Sequence, residues 1–288
     1  MVVGMRRNPL PPLADRLLPD ALWQRIQPLL PPPPGGGAPR TVPDRACMAA
    51  IVFMCRTSTP WALLPVRELG CGSVTTCWNR FAEWARAGVF DRLQELLLDE
   101  LGAAGCWTGR ASASTPPACA RSGGDLTGAN PVDRAKRGCK WHLAVERTGI
   151  VLSVLLGAAN RPDQELFGAL LDDIPMVATP RGGRRNRPEK AHGDKGYDDR
   201  HCRAYLRRRG ITARIARKGI ESSQRLGRHR WQAEQSIAWL FGCRRLRIRY
   251  DRGSERFYGF GLLACCRLAF NRYTDRTTLR PDRPVLAW

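Results

Sequence analysis

The chain has 288 residues, 43% of them hydrophobic, with 47 Lys and Arg against 26 Asp and Glu for a net charge of +21. That length and apolar content suffice to bury a core in one or two domains, and they exclude a chain disordered throughout. The charge calls for a polyanionic partner, nucleic acid first, and +19 of it falls in residues 106–288.

Residues 1–20 are Pro-rich and read as a flexible arm. Leu22, Ile26 and Leu29 have helical spacing, ended by the proline run from Pro31. A second helix is expected from Pro43 to Arg56. Ser73 is an N-cap for a third, in which Val74, Trp78, Phe81 and Ala85 form an apolar stripe. Its other face carries Thr75, Thr76, Asn79, Arg80, Glu83 and Arg86, the short polar groups and Arg that reach base edges in a major groove. An ordinary solvated face would read the same way. Phe90 to Leu101 completes a small all-α domain over 21–105.

From Trp141 the signals change. Trp141–Glu146 and Val151–Leu156 read as a hairpin, and Glu165–Ile174 as a helix. Arg181 to Lys190 is a basic linker, and the strand that should follow is unexpectedly polar, Glu189-Lys-Ala-His192. It ends at Gly193-Asp194-Lys195-Gly196, where two glycines flank an acid at a turn. Asp199–Arg209 reads as a helix stopped by Gly210, and Ile211–Ile215 as a strand. Glu234 shares a helical face with Trp231 and Ala238, which predicts an acid that points inward. Arg244–Arg249 interleaves four arginines with Leu246 and Ile248, and Phe257–Tyr273 reads as a buried closing helix before a tail at 276–288. The order of elements fits an α/β domain behind a helical one.

Eleven scattered cysteines without a Cys-x-x-Cys pair, and four histidines without ligand spacing, fit packed thiols rather than a zinc site or disulfide framework. The apolar run Ile150–Ala159 is about half of the ~20 residues a membrane span needs, and Met1–Asn8 is followed by no secretion-type apolar region. A cytoplasmic, nucleoid-associated protein is expected. Two inward acids on separate elements of a basic chain point to a divalent metal held for phosphoryl transfer. Taken singly, Asp194 reads more readily as a turn former and Glu234 as a surface or salt-bridge residue.

Pro131-Val-Asp-Arg134, Gly138-Cys-Lys-Trp-His142, Gly193-Asp-Lys-Gly-Tyr-Asp198, His229-Arg-Trp231 with Glu234, Ala238-Trp-Leu240 and Arg244–Arg249, in this order, resemble transposases of bacterial insertion sequences, of the insertion-sequence-five type. The resemblance runs from about Leu22 to Tyr273. It implies a ribonuclease-H-like mixed sheet with flanking helices over 106–275, behind a helix-turn-helix-like domain. It also implies an Asp, Asp, Glu triad that binds two magnesium ions, with manganese as an alternative, and cuts and joins double-stranded DNA. Homo-oligomers on paired element ends and target DNA are the implied assembly. By that resemblance Asp194 is the second acid and Glu234 the third, both catalytic and metal-binding. DNA contacts fall to Thr75, Thr76, Asn79, Arg80 and Arg86 and to Lys195, Arg230, Arg244, Arg245, Arg247 and Arg249.

One stretch departs from the family. The first acid belongs at the end of a strand before Pro131, yet 106–121 holds no carboxylate and two prolines, and Ser114 stands in the acid's place. A hydroxyl cannot balance two dications, so the metal site should be weakened, and the strand should be poorly formed. Asp125 and Asp133 lie in the following loop rather than at a strand end. With GC-rich codons, a shifted frame through 106–124 reads a more apolar strand that carries acids. Three readings follow: an impaired transposase, a catalytically inactive DNA-binding remnant, and an RNA- or ribosome-binding protein, the last disfavoured by nine Trp and long apolar runs.

Overall fold

The computed structural model describes residues 12–33, 40–116, 118–120, 124–217, 219 and 233–277. The chain begins with α1 (Leu13–Leu17) and α2 (Asp20–Ile26). The second half of the expected arm is therefore helical: Leu17 and Leu18 are buried, with α1 packed on α3 (Asp44–Thr57). A short α4 (Val66–Leu69) leads to α5 (Val74–Arg86) and α6 (Val89–Ala103). Ser73 caps α5 as expected, its hydroxyl accepting from the Thr76 N–H at 3.1 Å, a bond worth about 1 kcal/mol.

The sheet is centred on β1 (Arg110–Ser114). On one side β4 (Arg137–Glu146) runs antiparallel to it, from Ala111↔Glu146 to Ser114↔Leu143, and β5 (Val151–Ala158) is antiparallel to β4. On the other side β8 (Lys190–Gly193) is parallel to β1 and β9 (Thr212–Ile215) parallel to β8. The order is β5-β4-β1-β8-β9. Short rungs β2 (Cys119–Ala120) and β3 (Gly128–Ala129) pair with β4, and β6 (Val177–Ala178) with β7 (Arg184–Arg185) forms a separate ribbon.

The expectation that 106–121 would form a poor strand is overturned. Arg-Ala-Ser-Ala-Ser contains no strong strand former, but it pairs on both edges, and Ala111 and Ala113 bury against their neighbours. Tertiary context overrides propensity here, because a central strand is fixed by its ladders and by what packs on it.

Helix α7 (Phe167–Asp172) follows a 3-10 turn at Asp163–Leu166, and α8 (Arg200–Arg208) is capped by Asp199, which accepts from the His201 N–H at 2.7 Å. A helix α9 is described over 233–241. The last, α10 (Ser254–Thr277), binds the two parts of the chain. Its Phe260 lies 4.4 Å from Phe81 of α5, and its Phe257 lies 4.8 Å from Trp141 of β4. Gly261 lets the helix approach so closely, since a Cβ there would come within 2.5 Å of the Trp141 ring. One continuous core thus joins the N-terminal helices to the sheet. All eleven cysteines are buried free thiols, as expected. Among the described residues no helix is long and apolar enough to cross a membrane.

Candidate active site and nucleic-acid interface

Asp194 leaves β8 as the cap of a 3-10 turn, Lys195–Tyr197, and its Oδ1 accepts from the Gly196 N–H at 2.8 Å. Glycine at 196 allows this, because a Cβ there would come within 2.9 Å of that oxygen. Tyr197 turns back into the core against Phe167, with ring centroids 5.2 Å apart. Its hydroxyl is 2.7 Å from the Thr115 hydroxyl, which is also 3.3 Å from His142 Nδ1. His142 is 1% exposed, and burial holds it neutral with a pKa of about 4. This buried chain of polar groups ties the residue after Ser114 to the turn that carries Asp194. Continuing the β1–β8 register two residues beyond Ser112↔His192 sets Ser114 level with Asp194. Two positions that the resemblance gives to acids are therefore side by side, and one of them holds a hydroxyl.

Glu234 is not brought to them in the way expected. It is exposed, as is Ala238, and α9 buries Ala233, Ser236 and Leu240 instead. The Ser236 hydroxyl donates to the Gly149 carbonyl at 2.9 Å. Gly149 lies in the β4–β5 turn beyond Glu146, which pairs with Ala111, at the opposite end of β1 from Ser114. The helix thus uses a face rotated from the one read from spacing, with small Ser236 fitted to the turn. Trp231, on which that reading leaned, lies outside the described residues.

Among the described residues no group of three His, Cys, Asp or Glu gathers to hold a metal ion. Two-ion chemistry needs converging carboxylate oxygens. The described residues do not fit such a centre as they stand. The neighbouring acids are committed elsewhere. Asp125 accepts from Arg249 Nη2 at 2.6 Å and from the Ser254 N–H at 3.0 Å, so it caps α10. Partial burial raises its pKa, but the bonds from Ser254 and Arg249 outweigh this and hold the carboxyl below the ordinary range. Asp133 lies in the turn at 131–135, 3.6 Å from Lys136 Nζ.

Several cations expected on DNA face inward. On α5 the buried stripe is Cys77, Arg80, Phe81 and Trp84, one position round from the stripe read in sequence. Arg80 is 7% exposed and donates to Asp44 at 2.5 Å, while Glu83 accepts from Arg40 at 2.6 Å. Thr75, Asn79 and Arg86 remain exposed, and the half-buried Thr76 is bonded to Ser73. In the arginine cluster Arg244 and Arg247 are exposed, but Arg245 and Arg249 are 3% and 1% exposed. Arg245 pairs with Asp251 at 3.3 Å and lies over Phe260. Arg249 lies over Phe257 and donates to Asp125 and to the Asp251 and Arg252 carbonyls. These two arginines hold the segment before α10 instead of meeting solvent. Lys195 is exposed, and Arg230 lies outside the described residues.

Burial of Arg80 carries its own test. Arg80→Ala, which removes one of the two arginine partners of Asp44 while Arg40 keeps its bond at 3.1 Å, should cost about 1–3 kcal/mol of stability and leave the salt dependence of DNA binding unchanged. A loss of DNA affinity at an unaltered melting temperature would put Arg80 back on the DNA face.

A five-strand order with three antiparallel strands followed by two parallel ones, and an acid directly after the fourth, defines a ribonuclease-H-like domain. Comparison with known proteins agrees. Residues 18–94 match the family described as "Putative transposase of IS4/5 family", and residues 113–268 match "Transposase DDE domain". The "Putative transposase for insertion sequence element IS402" of Burkholderia cepacia is 39% identical over 151 residues, 52% of this chain and 72% of that relative. The "Insertion element IS402 uncharacterized 16.2 kDa protein" of the same organism is 46% identical over 98 residues, 32% of this chain and 65% of that relative. The chain belongs to the DDE transposases of IS4/5-type insertion sequences. That family works on DNA and generally depends on a divalent metal.

Proposed function

We propose that this transposase binds the DNA ends of its insertion sequence and is impaired in metal-dependent strand cleavage and strand transfer, because Ser114 occupies the place of the first acid. The observation that supports this is the β1–β8 register, which ends at Ser112↔His192 and, continued by two residues, would bring Ser114 level with Asp194. Asp194 and Glu234 are the retained acids of the triad in this reading, with Mg2+ or Mn2+ as the metal. DNA contact is assigned to Thr75, Thr76, Asn79 and Arg86 of α5 and to the exposed Lys195, Arg244 and Arg247. Residues 21–105 form the DNA-binding part and 106–275 the catalytic part, acting as a multimer on paired ends.

The exposed, remotely anchored Glu234 favours a second reading, a DNA-binding remnant that occupies element ends without cutting them. The deciding experiment incubates end-containing supercoiled DNA with Mg2+ or Mn2+ and either the chain as it stands or Ser114→Asp. Binding without nicking by the unaltered chain, and nicking by Ser114→Asp, is the result expected of an impaired enzyme. Binding without nicking by both would establish the remnant. Efficient nicking by the unaltered chain would refute the impairment.

A further inference from the structure

We infer that one face of β1, β8 and β9 is a second DNA-contact surface, on which Arg110, Lys190 and Arg214 position the phosphate backbone of a duplex that passes Asp194; this rests on the transposase reading above.

The pairing defines the face. Arg110, Lys190 and Thr212 lie in one cross-strand row, and Ser112, His192 and Arg214 in the next. Paired residues point to the same side of a sheet and alternate residues return to it, so these six share a face. The register continued beyond them brings Ser114 and Asp194 onto the following row. The intervening row of Ala111, Ala191 and Ala213 points the other way, where Ala111 and Ala191 are buried. All six polar residues are exposed or half-exposed.

That alternation is unusual for the site. Parallel strands inside an α/β domain commonly read as continuous apolar runs because both faces are covered. Here Lys190-Ala-His-Gly193 and Thr212-Ala-Arg-Ile215 alternate instead, which accounts for the polar strand that the sequence showed before Asp194.

Charge then indicates the ligand. Arg110 stands directly opposite Lys190, a like-charge cross-strand pair that disfavours the sheet by itself. None of the ion pairs among the described residues engages Arg110, Lys190 or Arg214. Arg214 lies one row nearer to Asp194. Strands about 4.8 Å apart with same-face residues roughly 6.7 Å apart along each strand place the three cations as a compact step leading to the acid. A polyanion relieves their repulsion, and release of its counter-ions drives the binding. In a chain of net charge +21 that belongs to a DNA-working family, the polyanion that fits is duplex DNA.

The test measures binding of the full chain to labelled mixed-sequence duplex DNA by fluorescence anisotropy across a salt series. The triple variant Arg110→Gln, Lys190→Gln, Arg214→Gln is compared with Arg67→Gln, Arg137→Gln, Arg147→Gln, which removes three exposed arginines elsewhere. Each phosphate contact contributes about 0.9 to the slope of log affinity against log salt, so the first triple should flatten that slope by about 2–3 and the second should leave it unchanged. Exchange of Arg and Lys at the three positions should restore the slope. The three single Gln variants, each expected to remove about 0.9, provide the same reading if the triple misfolds. Wild-type slope and affinity in these variants, or a loss seen with RNA but not with DNA, overturns the inference. Failure of the unaltered chain to bind any duplex overturns the transposase reading itself.

Discussion

Ser114→Asp is expected to create a Mn2+-dependent gain in thermal stability that the unaltered chain lacks. In this structure the change is confined to a side chain: β1 is already formed, its pairing with β8 at Ser112↔His192 ends two residues short of Ser114 and Asp194, and the Thr115–Tyr197 bond already holds the two strand ends together. Without metal, a second carboxylate beside Asp194 repels the first and lowers stability. A cation shared between them reverses the sign, and at a metal concentration one hundred times the dissociation constant the gain is about 2.7 kcal/mol. Differential scanning calorimetry with and without Mn2+ checks this. An equal response from both proteins, or none from either, would mean that position 114 does not face the acid as the register implies. Adding Tyr197→Phe to Ser114→Asp should weaken the Mn2+ response without abolishing it, since the strand ends then lose one tie.

Arg249→Ala should be among the most destabilising single changes in the chain. The guanidinium is 1% exposed, stacked on Phe257 and spread over Asp125 and the carbonyls of Asp125, Asp251 and Arg252. Truncation leaves these acceptors without their donor and frees Asp125 from one of its partners, at a cost of about 3–5 kcal/mol. For a chain of this size that amounts to roughly 10 °C in melting temperature. Acid titration supplies a second readout. The folded Asp125 carboxyl is held below its ordinary range, so its contribution is complete above the unfolded value near about 3.9 and is lost as pH falls through the folded value. Arg249→Ala should therefore also flatten the acid limb of the stability curve. A melting temperature within a degree or two of the parent would show that Arg249 is on the surface after all.

Much of the fold was legible because its signals are local. Ser73 announced its helix as a cap, Gly210 announced the end of α8, and the apolar run of α10 announced burial. What escaped was set by neighbours. The strand at Arg110–Ser114 has no β-propensity of its own and exists through its partners on both sides. Arg80, Arg245 and Arg249 look like solvent-facing cations in a basic sequence, and their burial depends on Asp44, Asp251 and Asp125, two of them distant in the chain. At the candidate site Asp194 was legible from its flanking glycines, whereas the side on which Glu234 emerges depended on where Ser236 finds its partner. The alternation in Lys190–Gly193 was visible as polarity but could be understood only once its neighbours in the sheet were known. Since β1 forms from the residues as written, a shifted reading frame is not required to explain the strand.

Helix α10 packs on α5 through Phe260 and on β4 through Phe257 and Gly261, with no free hinge between those contacts. The molecule is therefore built as a ruler. Under the proposed function, the stretch of duplex assigned to Thr75, Asn79 and Arg86 and the phosphate assigned to Asp194 would be separated by a length fixed in the core. Inserting base pairs between them rotates one out of reach while the other stays bound, so spacing along the DNA becomes a property inherited from protein packing.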